Sequence, residues 1–151
     1  MVIPAHPPNT SLHEQDFYAW TQQQSELLRS GRLSEADILS IAEEIEDMGR
    51  HQKRELESRL KVLFMHLLKW HYQPGYRGNS WRYSLEEQRA ELRDHLSDNP
   101  SLKHKLPEAI ERGYKYAIMG AAKETGLPKS TFPASCPWSF EQAMADEFFP
   151  D

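Results

Sequence analysis

Asp47, His51 and Glu55 stand four residues apart, one helical turn from the next. In that arrangement a carboxylate can orient the imidazole and raise its proton affinity, the minimum a general base needs. The same spacing also makes an ordinary ladder of solvated i,i+4 pairs worth about 0.3 kcal/mol each, and no nucleophile or oxyanion donor lies near it in sequence. The ladder is the simpler reading; a small helical enzyme using the three residues is the catalytic alternative. None of the seven histidines has a glutamate three residues before it or a histidine four residues after it, so neither the Glu-x-x-His pairs of di-metal bundles nor a His-x-x-x-His helix is present. No metal and no cofactor is expected. His66, inside an apolar run, reads as a core histidine bonded to a backbone carbonyl. Cys136, flanked by Ser135 and Pro137, reads as a small packed hydrophobe. Neither GxGxxG nor GxxxxGK followed by Ser or Thr occurs, which excludes P-loop nucleotide chemistry.

Charge carries more information. Residues 14–47 hold a formal charge of −7, residues 50–105 of +5 and residues 106–151 of −3, adding to the −5 of the chain. The basic middle contains KWHYQPGYRGNSWRY at 69–83, in which cations alternate with rings. A single-stranded nucleic acid site needs that mixture, because bases stack on rings while Lys and Arg neutralise phosphate. Its candidate residues are Lys69, Tyr72, Tyr76, Arg77, Arg82 and Arg93. The competing reading places Trp70 and Trp81 on inner helical faces and pairs the basic middle with the acidic first third. Arg89 supports it: the residue lies close to the apolar stripe of its helix, and a covered guanidinium calls for a carboxylate, with Glu43, Glu44 and Glu46 as candidates for a structural ion pair.

The elements that must position these residues read as helices. Ser11 and Glu14 are spaced as a capping box for a helix over 12–30 that stops at Gly31 and turns Phe17, Trp20, Leu27 and Leu28 inward, with Gln24 beside them. Ser34 is placed to cap a second region, and from Ile38 onward Ile45, Gly49, Leu56, Leu60, Leu63 and Leu67 stay in one helical phase. One helix over 35–72 would be roughly 57 Å long, longer than a compact domain of this size is wide. A bend at Gly49 is therefore expected, together with exposure of Ile41 and Met48 beyond the core. Residues 60–70 are apolar on all sides, the mark of a central helix. A helix from about 80 or 84 to 97 turns Trp81, Leu85, Leu92 and Leu96 inward. The next runs from near Pro100, bent at Pro107, to Thr125, with Ala109, Gly113, Ala117 and Ala121 as a small-residue seam against 60–70. A proline-rich loop at 127–138 precedes a short final helix, capped by Ser139 and ending near Phe149.

With 16 leucines against two valines and four threonines in 151 residues, the chain is poor material for strands. The expected fold is all-α: residues 1–10 a flexible N-terminal arm, residues 11–151 a single-domain helical bundle in which helices at 12–30, 84–97 and 107–125 pack on the one at 60–70. The N-terminus shows neither the basic region nor the apolar run of a signal peptide, and one cysteine cannot form an internal disulfide. A cytoplasmic location without membrane association is expected.

DFYAW at 16–20, EEIEDMGR at 43–50, LLKWHYQP at 67–74, SWR at 80–82, NPSL at 99–102, ETGLP at 124–128 and CPW at 136–138 occur in an order that resembles an uncharacterised bacterial family, domain-of-unknown-function family 29. The resemblance spans roughly residues 14–150. It implies an α-helical fold and a prokaryotic origin, and it brings no assigned reaction, cofactor or catalytic residue. The residues themselves lead to a non-catalytic module that binds a protein partner or a second copy of itself through the surface half of the long helix. Single-stranded nucleic acid binding through the basic segment is the alternative.

Overall fold

The computed structural model describes residues 11–151; the expected arm at 1–10 lies outside the described residues. These are 79% helical, with six α-helices, four short 3₁₀ turns and no strand among them. The chain divides into two compact units, one ending at Gly49 and the other running from Arg50 to Asp151.

In the first unit the expected helix over 12–30 is broken into α1 (Leu12–Gln15) and α2 (Phe17–Arg29). Asp16 causes the break. Its backbone leaves the helical region (φ −146°, ψ 85°), and its carboxylate accepts a hydrogen bond from the Ala19 amide at 3.0 Å, which starts a new helix. Ser11 makes no side-chain cap. Gly31, at φ 73°, ends α2 in the left-handed region that glycine adopts freely. Ser34 does not cap the next helix, because Leu33–Glu35 close into a 3₁₀ turn. Asp37 takes that role: its carboxylate accepts from the Ser40 amide at 3.3 Å, and the bonds to Ser40 hold its pKa below the ordinary carboxylate range.

Helix α3 (Ile38–Tyr72) continues through Gly49 without interruption. In the second unit its residues Leu56, Leu60, Leu63, Phe64, Leu67 and Leu68 are wholly buried. They pack with Leu85, Leu92 and Leu96 of α4 (Asn79–Asp98) and with the small seam of α5 (Leu106–Thr125). The seam works as expected. A Cβ on Gly113 would lie 3.0 Å from the Leu60 Cβ and 3.1 Å from the Glu57 carbonyl oxygen, and one on Gly120 would lie 2.7 Å from the Met65 Sδ. The bend expected at Pro107 is absent: Pro100–Lys105 form a separate 3₁₀ turn, and Pro107 sits in the first turn of α5, where its missing N–H costs nothing. Gly126, at φ 75°, ends the helix. The final helix, α6 (Phe140–Met144), is capped by Ser139, whose hydroxyl accepts from the Gln142 amide at 3.1 Å. It stops five residues short of Phe149, where Ala145 turns to extended backbone and arginine side chains cap the carbonyls of Ala143 and Met144.

Candidate interaction surfaces

In the second unit the basic–aromatic segment folds inward. Trp70, at the end of α3, is buried, and its ring lies 4.9 Å from that of Phe149. Three guanidiniums alternate with these two rings: Arg77 over Trp70 at 5.3 Å, Arg82 over Trp70 and over Phe149 at 5.1 Å each, and Arg89 over Phe149 at 5.6 Å. The rungs differ in their hydrogen bonds. Arg77 donates to the carbonyls of Trp70 (2.7 Å) and Pro150 (3.3 Å). Arg89, 1% exposed, donates to those of Ala143 (2.9 Å), Asp146 (3.3 Å) and Phe148 (2.7 Å). Arg82 carries no salt bridge among the described residues.

Arg89 corrects the expected pairing with Glu43, Glu44 or Glu46. The chain at and beyond the end of α6 leaves carbonyls with no helical or strand partner, and the guanidinium fork supplies the N–H donors they need, so its own donors are satisfied without a carboxylate. Burial lowers the Arg89 pKa, and the nearby Asp146 carboxylate works against that shift. Arg93 extends the clasp to the Met144 carbonyl (2.6 Å) and the Asp146 carboxylate (2.8 Å).

The six residues proposed to contact nucleic acid do not share one free face. Lys69 is bonded to Glu124 at 2.7 Å and sits 4.8 Å from the centre of the Trp81 ring. Tyr72 is half-buried, edge-on to Phe132 at 5.1 Å. Arg77 and Arg93 are engaged by carbonyls, which leaves Tyr76, 73% exposed, and Arg82 open. Two more bases of the middle are paired inside the same unit, Lys53 with Glu108 at 2.9 Å and Arg59 with Glu55 at 2.8 Å and with Glu91. For Lys53, Arg59 and Lys69 the carboxylates come from this unit and not from the acidic first third.

Glu55 is thus turned to Arg59, its other oxygen 3.9 Å from Nδ1 of His95, while His51 is exposed. A carboxylate meant to orient His51 is already engaged, which removes one leg of the catalytic alternative. His66 donates from Nδ1 to the Val62 carbonyl at 2.9 Å, and burial holds its pKa below the ordinary value. Among the described residues no group of three His, Cys, Asp or Glu side chains is placed to hold a metal ion.

The first unit presents the opposite situation. Among the described residues its buried side chains are Trp20 and Gln24. The His13 ring packs edge-on to Trp20 at 4.4 Å while its Nε2 meets Glu44 at 2.6 Å, and Gln24 accepts from the Asp37 amide at 2.7 Å. Phe17 and Leu28, expected to face inward, are 49% and 42% exposed. On α3, Ile38, Ile41, Ile45 and Met48 follow a 3-4-3 spacing and fall on one face of the helix. Ile38, Ile45 and Met48 are 51%, 62% and 65% exposed, and Ile41, expected with Met48 beyond the core, is half-buried.

Both regions, from α1 to the Phe149 rung, lie within residues 12–149, which match the family model described as domain of unknown function DUF29. The chain belongs to this family. No curated protein and no solved structure matches it. In this DUF29 chain the elements of the clasp that sequence reasoning missed are Phe149 and the carbonyls of residues 143–150, since nothing in a side-chain pattern marks a backbone oxygen in want of a donor. Buried His95, whose Nε2 donates to the Gln52 carbonyl at 2.8 Å, was also missed, although it lies one turn before the stop at Asn99–Pro100 and three residues after Leu92. None of the helices described for this family member is long and apolar enough to cross a membrane.

Proposed function

We propose that this chain is a protein-interaction module whose first unit receives an amphipathic helix of a partner, along the stripe of Ile38, Ile41, Ile45 and Met48. One observation carries the reading: nine large apolar side chains of this unit are exposed among the described residues, against a core of Trp20 and Gln24. At about 200 Å² per large side chain they present on the order of 1,000 Å², comparable to one side of a standard interface. The stripe has the spacing of a two-heptad seam, and Ala42 and Gly49 beside it let another helix approach closely.

Charge selects the occupant. Residues 14–47 carry −7, so a second copy would bring like charge against like, whereas a helix with basic flanks would be drawn in. The test uses two synthetic helical peptides with identical leucine stripes, one flanked by lysine and the other by glutamate, titrated into the full chain. Only the lysine peptide binds, and the double substitution Ile45→Ser/Met48→Ser, which leaves every charge in place, weakens it at least about tenfold. Equal binding by that variant would mean that charge alone attracts the peptide, and the reading fails. Sedimentation at micromolar concentration gives a monomer; a dimer dispersed by the same double substitution would make the second copy the occupant and overturn the charge argument.

A further inference from the structure

A cleft of about 750 Å³ lies in the second unit, between α5 and the loop after it, within the size range of small-molecule sites. Its apolar lining comes from Ile110, Ile118, Met119 and Ala134. Two polar side chains on its wall are already engaged: the Tyr114 hydroxyl donates to the Pro133 carbonyl at 2.6 Å and the Cys136 thiol to the Trp138 carbonyl at 3.4 Å; the Ser135 hydroxyl lines the cleft as well. Burial pushes the pKa of both groups up, so tyrosine and cysteine alike remain neutral. The charged residues of the lining are Arg112, Lys115 and Lys129 against Glu111. Arg112 is 4.0 Å from Glu57. Lys115 and Lys129 have no carboxylate partner among the described residues; the Lys115 ammonium lies 5.9 Å from the centre of the Tyr116 ring.

The geometry points to a binding site for a small amphipathic carboxylate, its apolar body lying along Ile110, Ile118 and Met119 and its head group between Lys115 and Lys129. The two parts of the cleft demand both features of the ligand. A neutral apolar molecule would leave the ammoniums unpaired, and a small hydrophilic anion would leave the apolar wall wet. This site is independent of the helix-binding stripe, which belongs to the other unit.

Calorimetric titration at neutral pH with decanoate, decan-1-ol and decyltrimethylammonium separates the contributions. One decanoate binds per chain, about tenfold more tightly than the alcohol, as two partly exposed ion pairs allow, and the ammonium compound does not bind. Lys115→Gln/Lys129→Gln lowers decanoate affinity to that of the alcohol without altering the thermal melt. Ala134→Trp, at an exposed position on the wall, fills the cleft and removes binding of both. Absence of decanoate binding overturns the assignment, as does alcohol binding of equal strength. So does binding that survives Ala134→Trp, which would mark adsorption elsewhere on the surface.

Discussion

Helix α3 passes through two environments without a break. Over residues 56–70 its leucines are wholly buried, while over residues 38–48 Ile38, Ile45 and Met48 stand half or more in water and Ile41 is half-buried. The apolar phase is the same in both stretches, so the contrast arises from what the neighbouring helices provide. In the second unit α5 offers Ala109, Gly113, Ala117 and Ala121, small enough for backbones to approach closely, and α4 offers leucines. In the first unit α2 reads FYAWTQQQSELLR and turns Trp20 and Gln24 inward. A helix face is therefore core or exposed surface according to the residues opposite it.

The arginine clasp shows the strongest dependence on burial. Replacing Arg89 with Met leaves three carbonyls without donors and should destabilise the second unit by about 3–5 kcal/mol. Arg82→Gln, on the neighbouring rung but exposed and without a salt bridge, should cost about 1–2 kcal/mol, the worth of its two exposed cation–π contacts. Urea unfolding followed by circular dichroism compares the two variants, and equal losses would remove hydrogen bonding to the 143–150 segment as the source of stability.

One substitution made in each unit sharpens the contrast. Gly113→Ala forces a methyl against Leu60 and the Glu57 carbonyl and should destabilise by about 1–3 kcal/mol. Gly49→Ala meets nothing within 4 Å and should stabilise the helix by up to about 1 kcal/mol. If both move the melting temperature in the same direction, close packing does not distinguish the units.

The smallest effect concerns pH. Burial holds the pKa of His66 below its ordinary 6.5, so above that value the residue is neutral in both folded and unfolded chains and its effect on stability does not vary. As pH falls below 6.5, the unfolded chain takes up the proton first and stability declines. His66→Gln should flatten this decline while leaving the neutral-pH melt within about 1 kcal/mol. A slope unchanged by the substitution would assign the pH dependence to other groups.

The candidate surfaces differ in how far side-chain identity reveals them. Ile41 and Met48 could be singled out because a long amphipathic helix is visible in its periodicity, and the structure adds Ile38 and Ile45 to complete the stripe. The basic segment misleads because its residue types suit nucleic acid as well as they suit a clasp. Lys69, Arg77 and Arg93 were assigned to solvent by type, and each instead meets an acceptor that lies at least seven residues away in sequence. The cleft between α5 and its following loop was not visible at all, since its walls are joined by the Tyr114–Pro133 hydrogen bond, which no periodicity encodes.

What the sequence determined by itself is local. Helix type follows from leucine in place of β-branched residues, the ends at Gly31, Ser139 and Gly126 from backbone conformation and capping, and the buried stretch at 60–70 from apolar residues on every side. Tertiary structure alone decided which polar groups are consumed. Whether Arg89 takes a glutamate or three carbonyls, and whether Glu55 serves His51 or Arg59, depends on which backbone and side-chain groups the fold leaves without partners at that place. A buried donor or acceptor bonds whatever is within about 3 Å, and distance in space is the quantity that a linear pattern does not contain.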